Sequence, residues 1–117
     1  MSITAQLAGA ASTWYRDCFQ LKRSNGFYEK GVYRRINSEL SNHRGNIQPA
    51  SKAQVERLPE GMRADGAISI FTDLVMRTAD PPNQVADRVM VKGIEYEVGD
   101  VERWASYNEY VCAKVGQ

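Results

Sequence analysis

A mainly β fold, a small antiparallel β-barrel or sandwich with one short helix and an extended N-terminal arm, is predicted by three observations. Runs in which apolar and polar residues alternate recur along the chain, spaced roughly ten residues apart as in small barrels and sandwiches. Turn signals separate them, among them Ser24-Asn25-Gly26, Pro59-Glu60-Gly61, Pro81-Pro82 and Lys92-Gly93. A single stretch, Ser51 to Leu58, combines helix formers with a cap. The 117 residues suffice for one core, which divides the chain into an N-terminal arm over 1–16 and one barrel domain over 17–117.

Each element follows from its residues. In the arm, Ile3, Leu7, Ala10 and Trp14 recur at helical steps, consistent with a short helix or a flexible segment. Phe19 and Leu21 alternate with Gln20 and Lys22, and Ser24-Asn25-Gly26 supplies a hairpin turn. Tyr28 to Leu40 reads as a half-exposed strand interrupted at Gly31 by a bulge or turn. Ser41 to Gly45 reads as a polar turn before a short strand, Asn46-Ile47-Gln48, that Pro49 ends because it has no amide donor. The Ser51-x-x-Gln54 spacing is that of a capping box, so one or two helical turns begin there and stop at Pro59-Glu60-Gly61. Ala67 to Met76 alternates as the clearest strand, with Ile68, Ile70, Thr72, Leu74 and Met76 on one face. The paired prolines make Arg77 to Gln84 an exposed loop. Val89, Val91, Ile94, Tyr96 and Val98 then flank the Lys92-Gly93 turn, Asp100 to Trp104 continues the meander, and Tyr110 to Val115 closes it.

Composition excludes several functions. With 15 Lys/Arg against 14 Asp/Glu, the net charge of +1 is too small for binding nucleic acid by phosphate neutralisation alone. The charge is unevenly placed: residues 1–58 hold nine basic and four acidic residues, +5, whereas 59–117 hold six and ten, −4. Such a polar monomer suits head-to-tail stacking or docking between differently charged partners. No apolar run approaches the roughly 20 residues that span a bilayer, and no basic run with an apolar core marks a signal peptide, so no membrane partner is expected and synthesis is cytoplasmic. Cys18 and Cys112 lack Cys-x-x-Cys spacing and read as reduced thiols, Cys112 packed within a strand.

Catalytic constellations are not expected. His43, the one histidine, lies among Ser41, Asn42, Arg44 and Gly45 without acids at metal-ligand spacing, so neither a metal nor a Cys-His nucleophile is read there. Glu95, Glu97, Asp100, Glu102 and Glu109 form an acidic group that reads as solvated surface rather than as an acid–base pair. Phosphate-cradling glycine loops are missing from the sequence, and no cofactor is implied. Lys22-Arg23 and Arg34-Arg35 with Phe27, Tyr28 and Tyr33 have the composition of a single-strand stacking groove. The reading preferred here makes the aromatics half-buried and the basic residues guards of strand edges.

Three stretches carry a resemblance. Asn46-Ile47-Gln48-Pro49-Ala50-Ser51 with Glu56-Arg57-Leu58-Pro59-Glu60-Gly61, then Gly66 to Thr72, then Ala86 to Trp104 with its Gly93-Ile94-Glu95-Tyr96-Glu97-Val98 hairpin, resemble the head-tail joining or head-completion proteins of tailed bacteriophages, also called head-closure, neck or collar proteins. With Tyr28-x-x-Gly31-x-Tyr33 the resemblance covers roughly residues 20–115, leaving Met1 to Arg16 outside it. It implies a non-enzymatic virion protein, a homo-oligomeric ring in the neck that joins capsid to tail. Its partners would be copies of itself, a portal or head-tail adaptor protein, and a tail terminator or tail tube protein. Genomic DNA would pass through the lumen without sequence-specific binding. A tail completion or terminator ring is the alternative, and a single-stranded nucleic-acid-binding barrel stands behind it.

A closed ring needs two different complementary patches on each subunit. The residues read as interface anchors are Trp14 and Tyr15, expected to be partly exposed, and the loop residues Arg77, Asp80, Pro81, Pro82, Asn83 and Gln84. That loop is expected to line the channel or grip a neighbouring ring, and the arm to reach the next subunit or the portal side.

Overall fold

Apolar residues at period two from six strands meet around one core, and the strands close on themselves in the order β1-β2-β3-β6-β5-β4, all antiparallel. The computed structural model describes residues 15–63, 65–80 and 84–115, and the side chains of these except 25–28 and 33–38. The strands are β1 (Asp17–Glu29), β2 (Val32–Pro49), β3 (Ile68–Thr72), β4 (Arg88–Val91), β5 (Ile94–Arg103) and β6 (Asn108–Lys114). Between β2 and β3 lie α1 (Lys52–Glu56) and a 3-10 turn (Glu60–Met62). The predicted β class holds, and of the two forms left open the chain adopts the closed barrel. Closure removes long strand edges from the body of the molecule.

Phe19, Leu21, Ile70, Val89, Val91, Tyr96, Val98, Tyr110 and Cys112 fill the interior, with Met76 closing over them. A second, smaller core lies outside the barrel wall, where Leu58, Val55 and Met62 cover Ala67, Val111 and Ala113. Strand β6 is thus buried on both faces, and Glu109 to Ala113 are buried without a break. The cap on α1 is the predicted one: the Gln54 amide donates to Ser51 Oγ at 3.2 Å, and the Ser51 amide donates to Gln54 Oε1 at 2.8 Å.

Three expectations are corrected. Ser24-Asn25-Gly26 is not a turn; it lies inside β1, and the hairpin reverses at Lys30-Gly31, whose φ values of 51° and 77° are the positive pair a two-residue turn requires. Ser41 to Gly45 is strand, paired with Leu21 to Asp17. The irregularity lies directly opposite the misread turn: Asn25 faces Asn37 but Gly26 faces Arg35, so Ile36 is an extra residue on β2.

Strand β3 also ends at Thr72, earlier than the alternation implied. Thr72 Oγ1 accepts from the Leu74 amide at 3.3 Å and donates to the Arg44 carbonyl at 2.9 Å, replacing ladder bonds with side-chain bonds. The Tyr110 hydroxyl then donates to the Leu74 carbonyl at 2.7 Å and accepts from the Met76 amide at 2.8 Å. These bonds draw the chain across the barrel end and tuck Met76 into the core.

The longest element is the β1–β2 hairpin. β4 pairs with β1 only from Gln20 to Lys22, and β3 pairs with β2 only from Asn46 to Pro49. Beyond Lys22 the hairpin leaves the barrel and continues to Lys30-Gly31, about 25 Å at the usual rise of a strand. The molecule is accordingly long, 56 × 30 × 26 Å.

Candidate assembly interface

The base of the projecting hairpin is held by one buried carboxylate. Asp87 is 1% exposed and takes two bonds from Arg23 of β1, from Nε at 3.1 Å and from Nη2 at 2.7 Å. It also accepts from the Arg77 amide at 2.7 Å, while Arg23 Nη2 donates to the Val75 carbonyl at 3.3 Å. Backbone bonds from Asp87 N to Arg77 O, 2.9 Å, and from Val98 N to Asp87 O, 3.0 Å, complete the junction. Burial works against the Arg23 charge, but the paired hydrogen bonds and the Asp87 carboxylate outweigh it and hold the guanidinium pKa above its ordinary value. A long ribbon is thereby anchored to the 75–77 segment, to the start of β4 and to β5 at one point.

The residues predicted as anchors are partly brought together here. Arg77 lies at this base with its side chain exposed. Asp80 and Gln84 exchange backbone bonds at 2.9 Å in both directions, and Gln84 Nε2 donates to the Thr78 carbonyl at 2.6 Å, so the loop is pinched at its stem. Asp80 is exposed and Gln84 half-buried. Pro81, Pro82 and Asn83 lie outside the described residues, as do Trp14 and the rest of 1–14. Tyr15 corrects the expectation of partial exposure: at 8% it belongs to the core. Burial raises its hydroxyl pKa, with the Asp73 charge and Tyr107 adding to the effect.

The acidic group divides into two ion-pair sets that the sequence did not separate. On one side Glu95 receives Lys22 at 3.1 Å and Arg88 at 2.8 Å, with Glu97 at 3.7 Å from Arg88. On the other, Arg57 from the end of α1 meets Asp100 at 2.6 Å, Glu109 at 2.7 Å and Glu102 at 3.1 Å. The division arises at Gly99, where the β5 register shifts against β6, so that Val98 and Val101 both pack on the core and Asp100 and Glu102 turn outward. A Cβ at Gly99 would collide with Leu58 Cδ2 and come to 3.0 Å from Met62 Cε, so any larger residue there must displace these two side chains. The bulge leaves no mark in the hydropathy pattern; a glycine within an otherwise alternating strand was its one signal.

Elsewhere the chemistry is sparse. His43 Nε2 lies 2.7 Å from Ser41 Oγ and its ring packs 5.9 Å from Phe19. Cys112 is fully buried, and burial pushes its thiol pKa far up, whereas Cys18 is exposed. Among the described residues no group of three or more His, Cys, Asp or Glu is arranged to hold a metal ion, and no helix is long and apolar enough to cross a membrane. An open groove of about 410 Å³ beside α1 is lined by Pro49, Ala50, Val55, Lys52, Arg63 and Asp65, a mixture without paired carboxylates. Fold and surface together define a small closed barrel that carries one long β ribbon. Compared with known proteins, the chain matches no family model, and no curated sequence matches it significantly.

Proposed function

We propose that this protein is a structural ring subunit in the neck of a tailed bacteriophage, connecting the portal side of the capsid to the tail and leaving a passage for DNA. The observation that carries the proposal is the β1–β2 ribbon running about 25 Å past the barrel that anchors it. A two-stranded ribbon alone in water is marginally stable, so its length is supported best by surfaces that other subunits supply. The ordered resemblance over roughly residues 20–115 points to the same class. The ring's neighbours are a portal or adaptor protein on one side and a tail terminator or tail tube protein on the other. In this reading the protein makes and breaks no bonds; its work is shape, rigidity and docking.

The test is electron microscopy of a lysate of the phage from which this gene has been deleted. DNA-filled or emptied heads lying apart from complete tails, and joined by adding the purified protein, is the expected result. Joined infectious particles would overturn the proposal. Defective tails with no separated complete tails would move the ring to the tail end, as a completion or terminator protein.

A further inference from the structure

We propose that the projecting hairpins of neighbouring copies pair edge to edge, β2 of one copy with β1 of the next, into one continuous antiparallel sheet. Among the described residues the barrel's unpaired strand edges are short, as at Asp17 to Phe19 of β1 and Asp100 to Arg103 of β5, so the longest open edges lie on the ribbon. Among the described residues, Ser24 to Glu29 of β1 and Val32 to His43 of β2 have no strand on their outer sides. The limit on β2 is set at Arg44, whose carbonyl accepts from Thr72 Oγ1. Open edges of this length template pairing with another strand unless covered or interrupted. Neither stretch contains a proline. On β2, Val32 is 56% and Leu40 61% exposed, large apolar side chains that pairing would cover.

A second copy is the occupant that these edges fit. Each subunit has one β1 edge and one β2 edge on opposite sides of the same ribbon, which is the head-to-tail arrangement that generates rings. The strand directions agree. Within a hairpin β1 and β2 run oppositely, and rotation about an axis along the ribbon keeps both directions, so β2 meets the next β1 antiparallel. Twofold symmetry would instead join like edges and stop at a dimer. The charges agree as well: Glu29 is the one charged residue of 24–29, whereas 32–36 contains Arg34 and Arg35, and both stretches lie at the ribbon tip. Antiparallel neighbours bring these opposite signs to the same level. The inference takes its ring from the proposed neck function, while the pairing itself rests on the open edges.

Single cysteines placed in a Cys18→Ser background test it, since Cys112 is buried. Chains carrying Ser24→Cys or Glu29→Cys are mixed with chains carrying Val32→Cys or Leu40→Cys and oxidised under assembly conditions. Disulfide-linked pairs of unlike chains, and a ladder of multimers from chains carrying both substitutions, are expected. Links only between like chains, or none in any combination, would overturn the pairing. A second variant in which Gly26 to Arg35 is replaced by an Asn-Gly turn should keep a cooperative melt, because the described residues of both cores all lie outside 24–40, and should lose the multimers. Multimers that persist in it would equally overturn the pairing. Particle joining in the gene-deletion lysate is read separately, so ribbon pairing without a neck defect, or the reverse, shows which idea failed.

Discussion

Gly99 joins a backbone irregularity to a tight packing contact. It carries the bulge that turns Asp100 and Glu102 toward Arg57, and it leaves room for Leu58 and Met62 against the barrel wall. Gly99→Ala overpacks this contact and is expected to cost about 1 to 3 kcal/mol, read as a lowered Tm; Leu58→Ala in the same chain should remove part of the clash. Glu109, 8% exposed, contributes to acid sensitivity. Burial raises its pKa, but hydrogen bonds from Gln54, Arg57 and Trp104 and the Arg57 charge outweigh that and hold the carboxyl below its ordinary 4.5. The folded carboxyl therefore binds a proton less readily than the unfolded one. Its contribution is complete above about pH 5 and fades as pH falls through the lower folded value. The urea midpoint of the wild type should drop as pH falls below about 5, and that of Glu109→Gln, lower at neutral pH, should drop less. At the same scale, a thiol reagent should modify Cys18 alone in the native protein and Cys112 only after denaturation, because a buried, fully protonated thiol is unreactive.

Among the elements, the ribbon base depends on a pair distant in sequence. Asp87→Ala leaves Arg23 and the Arg77 amide without their acceptor and is expected to cost about 3 kcal/mol, on the order of a 10 °C fall in Tm. Amide exchange at 75–77 should accelerate in that variant. The local elements were legible in advance. The capping box on α1, the Lys92-Gly93 hairpin and Cys112 as a packed strand residue were each readable from a few neighbouring side chains. The Lys30-Gly31 turn was legible in part: a bulge or turn was expected at Gly31, but the hairpin was placed at Ser24-Asn25-Gly26, although Lys30-Gly31 repeats the Lys-Gly dipeptide of the second hairpin with nearly the same backbone. Asn25-Gly26 carries the stronger local signal for a turn, and a bulge opposite it on β2 absorbs that signal within a continuous strand. The Ala67 to Met76 alternation ran too long for a related reason. The hydroxyls of Thr72 and Tyr110, the latter remote in sequence, take over the bonds that would have prolonged β3.

At the scale of the whole molecule, the closed barrel and the open ribbon differ in how they meet the requirement that backbone groups be paired. The barrel satisfies it internally for most of its strands, whereas the ribbon leaves its outer groups to water or to a neighbour. In the isolated chain, amides of 24–29 and 32–43 that face outward should exchange rapidly, and in the assembled ring they should become protected together. Unchanged exchange on assembly would count against the ribbon as the contact surface. The candidate interface was only partly legible for the same reason. Arg77 sits at the ribbon base, but Tyr15 had no mark in the sequence to distinguish an interface aromatic from a buried one.

By itself, the sequence determined the β class, the capped helix, the second hairpin and the identity of most inward residues. These follow from period-two alternation, one cap and one turn, all of them interactions among residues a few positions apart. Only the tertiary structure decided that the sheet closes, that β1 and β2 outrun it, and that Asp87 and Arg57 serve as junctions. Closure, strand overhang and ion pairing depend on which strands become neighbours, and residues 43 to 64 positions apart in the chain, as in Arg57–Asp100 and Arg23–Asp87, leave no local periodicity from which that could be read.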